Sequence, residues 1–158
     1  MPSKGLTMFR RVAIVLVCVF LVCALILGSC GPSLPQGFQW VELPDGTRIQ
    51  AETKMTPEGQ AQGMMFRTSL PEDQGMLFIH GTVEKRGYWM FQCEIPLDII
   101  WMDRNRRIVE ISGNTPPCRE TAEKCPSYGG SVPSLFVLEL AAGMAKKHNL
   151  KLGDRIEF

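Results

Sequence analysis

A chain of 158 residues, 45% hydrophobic and 21% charged, is long enough for one domain with its own core and a short extra segment. Its 17 basic side chains nearly balance 16 acidic ones. That balance, with no basic run facing one way, argues against the phosphate backbone of a nucleic acid, and no such partner is expected.

The extra segment is N-terminal. Lys4, Arg10 and Arg11 precede an uncharged apolar run from Val12 to Leu27, and Gly28-Ser29 then lead into Cys30. Residues 1–29 read as a secretory signal peptide. Leu27-Gly28-Ser29-Cys30 resembles a bacterial lipobox, which implies cleavage before Cys30 and lipid on its thiol and new amine. Acyl chains at about 0.8 kcal/mol per buried CH₂ would hold such a protein on a membrane. An uncleaved anchor is the alternative, because the apolar run is somewhat long for a signal and short for a span. Removing three basic residues takes the formal charge from +1 to about −2. Gly31, where an aspartate would resemble an inner-membrane retention signal, points to the outer membrane in a Gram-negative cell. The expected localisation is the cell envelope, facing the periplasm or exterior.

Residues 30–37 form a Pro/Gly linker, and 38–158 the domain. Phe38 to Leu43 and Thr47 to Lys54 read as a hairpin around Pro44-Asp45-Gly46. Thr56-Pro57-Glu58 starts a short helix, with Ala61, Met64 and Met65 on its core face. Met76 to Ile79 is a covered strand, Tyr88 to Gln92 the next, and Pro96 interrupts the sheet before Leu97 to Met102. Asp103 to Arg106 turns into Arg107 to Ser112. Asn114 to Ser134 is a long Pro-rich loop. Leu135 to Leu138 reads as a strand, Glu139 to His148 as a helix, and Arg155 to Phe158 as a last strand with Ile156 and Phe158 inward. The fold class is α+β, mainly β: a compact closed or half-closed, antiparallel-rich barrel or sandwich with two short helices.

Outside the leader and the lipobox, Cys93, Cys118 and Cys125 remain in an oxidising compartment. Cys118 and Cys125 share one short loop and are expected to pair, contributing about 2–3 kcal/mol, with Cys93 a buried thiol. A zinc site from the three cysteines and His80 is the rival, but paired C-x₂₋₄-C spacing is missing.

Taken in order, Gly63-Met64-Met65-Phe66-Arg67, Gly75-Met76-Leu77-Phe78, Trp89-Met90, Ile95-Pro96-Leu97-Asp98-Ile99, Cys118 with Cys125-Pro126-Ser127-Tyr128, Val137-Leu138-Glu139-Leu140, Ala142-Gly143 and Gly153-Asp154 resemble the DUF192 family from about Ile49 to Phe158. The resemblance implies a compact β-rich domain with small helices, usually exported, and implies no reaction. The family commonly carries WMKNT before IPLDI. Here Phe91, Gln92 and Cys93 stand in place of Lys, Asn and Thr.

Asp98, between Leu97 and Ile99, needs a partner, and Arg67 is the natural one. The expected role is a core-bracing ion pair or a carboxylate capping backbone N–H groups, or else the floor of a ligand pocket walled by Trp89, Met90 and Tyr128. Catalysis is less favoured: a Cys93–His80 pair or a Glu94–Asp98 acid pair is all that could support a thiol or hydrolase-like enzyme. Met64, Met65, Met76, Met90 and Met102 fall on core positions rather than in a soft-metal cluster. No catalytic residue, metal or cofactor is implied. The reading is an exported, lipid-anchored domain that binds an envelope glycan, a small molecule or an envelope protein.

Overall fold

The computed structural model describes residues 34–158. The leader and Cys30 lie outside them. β1 (Phe38–Glu42) and β2 (Arg48–Lys54) form the expected hairpin, and alternation turns Val41, Ile49 and Ala51 into the core. Helix α1 (Pro57–Gln62) opens on Thr56, whose hydroxyl accepts from Gly59 N at 3.1 Å. The expected core stripe does not form on it. α1 buries no residue, Ala61 is exposed, and Met64 is buried only after the chain has left the helix at Gly63. Six residues are under two turns, too few to present an i, i+3, i+4 face.

β3 (Gln74–Lys85) runs parallel to β2, with α1 in the crossover. β5 (Leu97–Met102) and β6 (Ile108–Thr115) form the second hairpin, and β8 (Pro133–Ala141) lies between β3 and β5. The sheet order is β1-β2-β3-β8-β5-β6, antiparallel except at β2–β3. Two short strands, β4 (Tyr88–Trp89) and β7 (Ser127–Tyr128), pair separately. The strand expected at Tyr88 to Gln92 is thus two residues long and outside the main sheet.

The expected barrel is corrected to an open mixed sheet. β1 and β6 do not pair with each other. The C-terminal segment joins the two edges through single bridges, Glu42 with Glu157 and Arg107 with Arg155, and the backbone hydrogen bonds around them. Ile156 is nonetheless fully buried, and Phe158 meets Phe136 edge-on at 5.0 Å.

β8 overturns another expectation. It continues through Ala141, where a helix from Glu139 was expected, and helix α2 is only Met144–Lys147. With period-two alternation, one sheet face collects Leu77, Ile100, Leu138 and Leu140, and the other Met76, Phe78, Ile99, Trp101 and Val137. β4 and β7 lie over the second face. Trp101 Nε1 donates to Arg86 O at 2.8 Å, and a Cβ on Gly129 would come within 2.4 Å of the Trp101 ring.

Asp98 is 1% exposed and braces the first face. Its Oδ1 accepts from Asn114 N at 2.7 Å and Gly143 N at 3.1 Å, and its Oδ2 from Ala145 N at 2.6 Å. Its partners are therefore backbone N–H groups at the end of β6 and the start of α2, where a helix leaves donors free. Arg67 is not among them: it pairs with Glu52. Asp98→Asn puts an amide donor against a backbone N–H and is expected to cost about 2–3 kcal/mol. A lowered urea midpoint at unchanged slope is the measurement that checks it.

Candidate functional site

The same alternation that sends Leu138 and Leu140 to one core sends Glu139 to the other. It sits on the central strand between Met76 of β3 and Ile99 of β5. Glu139 is 4% exposed, and its buried Oε2 has no hydrogen-bond partner. A carboxylate so placed has lost its hydration without compensation. Burial therefore pushes its carboxyl up to about 8, with the positive charge of Arg67 opposing only in part.

Above Glu139 the chain leaves a small cavity of about 20 Å³. A water needs about 10–15 Å³, so one small group fits. Met64, Phe78, Tyr88 and Cys93 wall it, and Trp89 and Phe91 form its outer lip. Two open clefts flank it. One of about 460 Å³ runs along His80, Arg86, Tyr88 and Trp89. The other, of about 310 Å³, runs along Phe66, Phe91, Cys93 and Arg119. Trp89 is 43% exposed, with its ring 5.3 Å from that of Phe91 at 43°.

Burial sets the protonation of the walls. It pushes the Cys93 thiol up to about 12, helped by the charge of Glu139, and raises Tyr88 for the same two reasons. It pushes His80 down to about 4, aided by Arg86. His80 Nε2 and Tyr88 Oη are 2.9 Å apart, and with both groups neutral a hydrogen bond joins them, not an ion pair.

The expected constellation of Arg67, Asp98, Trp89, Met90 and Tyr128 does not converge. Asp98 faces the opposite side of the sheet. Met90 is fully buried, and its carbonyl accepts from Cys93 N and Cys118 N. Tyr128 packs on the second core and pairs its backbone with Tyr88 without lining the cavity. Trp89 alone of the five is on the cavity lip. Sequence reasoning missed Glu139, although a lone acid between Leu138 and Leu140 carries the same signal that drew attention to Asp98. Assigning Glu139 to a helix start hid it.

Cys118 and Cys125 are disulfide-bonded, and Cys93 is a buried free thiol. The bond takes two of the four ligands from the alternative zinc site. Among the described residues no group of three or more His, Cys, Asp or Glu side chains is placed to hold a metal ion.

Residues 41–158 match the DUF192 family, described as Uncharacterized ACR. The chain belongs to that family. Among curated proteins none matches it. Two solved structures are similar. A protein of unknown function from Novosphingobium aromaticivorans shares 30% identity at a TM-score of 0.68, covering 82% of this chain and 94% of its own. A protein from Sinorhizobium meliloti, described as a candidate transcription regulator, shares 29% at 0.67, covering 75% and 89%. The positions where this DUF192 chain departs from WMKNT fall on the site: Phe91 and Cys93 line the cavity, and Gln92 O accepts from Phe66 N at 2.8 Å.

Two outcomes follow for this DUF192 domain. The folded state keeps the Glu139 proton up to about pH 8, whereas an unfolded carboxyl releases it near 4.5. The unfolded chain thus binds fewer protons across that window, and this contribution to stability falls as pH rises through it. Glu139→Gln is expected to flatten the fall and to raise stability above pH 8 by a few kcal/mol, on the order of magnitude of a full linkage shift. Urea midpoints at pH 5.5 and 8.5 for both proteins check this. Reducing the disulfide, with the loop it closes spanning a sequence separation of 7, is expected to lower stability by about 2–3 kcal/mol. Paired melts with and without reductant measure it, with Cys118→Ala/Cys125→Ala as the control that reductant must leave unmoved.

Proposed function

We propose that this protein is exported, held at the membrane by lipid on Cys30, and binds without catalysis an envelope glycan or small molecule in the groove around Trp89 and Phe91. The observation that carries the reading is the exposed Trp89 ring, with the half-buried Phe91 beside it, bordering clefts of about 460 and 310 Å³. Clefts of that size fall in the lower range of small-molecule sites, roughly 300–1,000 Å³. A flat ring held partly open to solvent offers stacking area to a sugar face or a planar apolar group. The leader supports export, since a basic n-region, an apolar run and small residues before Cys30 occur together. Among the described residues no helix is long and apolar enough to cross a membrane.

Binding is favoured over the thiol-enzyme reading. Cys93 at about 12 stays a thiol, and the thiolate is the nucleophile. His80 at about 4 is a weak base whose ring is engaged by Tyr88. The regulator description of the S. meliloti relative is not carried over, because the near-neutral charge of this chain offers no basic face for a phosphate backbone.

Trp89→Ala and Phe91→Ala in the full-length protein in detergent are expected to weaken binding of the responding members of a saccharide and metabolite panel by at least about tenfold, within the range of losing one stacking contact. Stability should fall by about 1–3 kcal/mol, because each ring is partly covered, so binding is measured where both variants remain folded. Calorimetric titration beside urea melts separates the two effects. Binding indifferent to both substitutions, or absent throughout, overturns the groove. For the anchor, Cys30→Ser is expected to release the protein from the membrane fraction and to remove the lipid mass. An unchanged intact mass overturns it.

A further inference from the structure

We infer that the cavity over Glu139 takes the ammonium head of a primary amine, with the remainder of the ligand lying along Trp89 and Phe91. This rests on the groove reading above and adds the chemistry of the group that enters it. Three observations carry it. Glu139 lines the cavity and is 4% exposed, and its buried Oε2 has no hydrogen-bond partner, so the carboxyl keeps an unused acceptor beside the cavity. The cavity is about 20 Å³, enough for one small head group and too small for a sugar ring or a trimethylated nitrogen. Four aromatic side chains, Phe78, Tyr88, Trp89 and Phe91, contribute to its lining, beside Gln60 and Gln62 from the end of α1. Ring faces attract a cation, and a desolvated site strengthens that attraction.

The groups that act on Glu139 leave the cation place unfilled. Cys93 and Tyr88 share its surroundings and are held neutral by burial. His80 is neutral and bonded to Tyr88. Arg67 supplies positive charge from a distance, but its guanidinium is committed to Glu52, which also holds Lys54. An ammonium group entering the cavity would donate to the unpartnered carboxylate and form the close ion pair that Arg67 does not.

This assignment fixes the sign of a proton linkage. Glu139 in the free protein keeps its proton up to about pH 8. An ammonium ligand selects the carboxylate, so binding sends that proton to solvent and affinity rises with pH until the free carboxyl is ionised. A neutral hydroxyl ligand would accept from the protonated acid and show the opposite trend.

The test uses the full-length protein in detergent and one matched pair, 2-phenylethylamine and 2-phenylethanol, with glucose as a ring probe, followed by isothermal titration calorimetry in buffers of different ionisation enthalpy. The amine is expected to bind at least about tenfold more tightly than the alcohol at pH 8, and to weaken by about tenfold for each pH unit below 7, with about one proton released. Glu139→Gln is expected to abolish both the preference and the proton release while retaining a cooperative urea transition. Equal binding of amine and alcohol, or a preference that survives in Glu139→Gln, overturns the inference. If alcohol or glucose binds and responds to Trp89→Ala while the amine gains nothing, the ammonium assignment falls and the groove stands. If none of the three binds, both fall.

Discussion

The structure depends on the hydrogen bonding of β8 along both its edges. β3 on one side and β5 on the other fix its register residue by residue, with Leu138 opposite Leu77 and Ile100, and Glu139 opposite Met76 and Ile99. A strand so held cannot slip by one position without turning every side chain to the other face. Slippage would carry Leu138 and Leu140 out of the first core and Glu139 into it. The placement of the carboxyl is therefore enforced by the apolar residues on either side of it, and removing it from its pocket would mean disrupting the sheet.

The fold buries two acids on opposite faces of this sheet and treats them differently. Asp98 is surrounded by backbone N–H groups and uses them to tie β6 and α2 to the first core. A carboxylate with three such donors is a structural brace. Glu139 has an unpartnered oxygen, a raised pKa of about 8 and a cavity above it. Natural interiors satisfy nearly all their buried polar groups, so an orphan on a central strand is where function is expected to be stored.

The cover over Glu139 combines the end of α1 at Gln60–Gln62, the short strand β4 and the loops beside them, and it is held by particular contacts. Phe66 and Gln92 both adopt positive φ, 64° and 56°, and the N–H of the first donates to the carbonyl of the second at 2.8 Å. Non-glycine residues in that region carry strain, which tertiary contacts must offset. The carbonyl of Met90 accepts from both Cys93 N and Cys118 N, so the segment after β4 and the disulfide loop are joined at one atom. Together these contacts set how far Trp89 and Phe91 stand open to solvent.

Local chemistry made part of this legible in the sequence. The hairpin at Pro44–Gly46, the N-cap at Thr56, the buried run at Leu97–Met102, the Cys118–Cys125 pairing and the family were all readable, because each depends on residues close in the chain or on a pattern with a fixed period. The sequence also flagged Asp98 as an acid needing partners, with backbone N–H groups among the candidates, though not which ones, those of Asn114, Gly143 and Ala145. Only the tertiary structure decided that the sheet stays open, that β8 runs on through Ala141, and that Arg67 turns to Glu52. The reason is common to all three: each is a competition between partners far apart in sequence, and a one-dimensional pattern does not record which distant groups meet. Glu139 shows it most clearly. Glutamate suits the first turn of a helix and is out of place mid-strand, so local propensity assigned it to a helix, and pairing with Met76 and Ile99 overrode that preference.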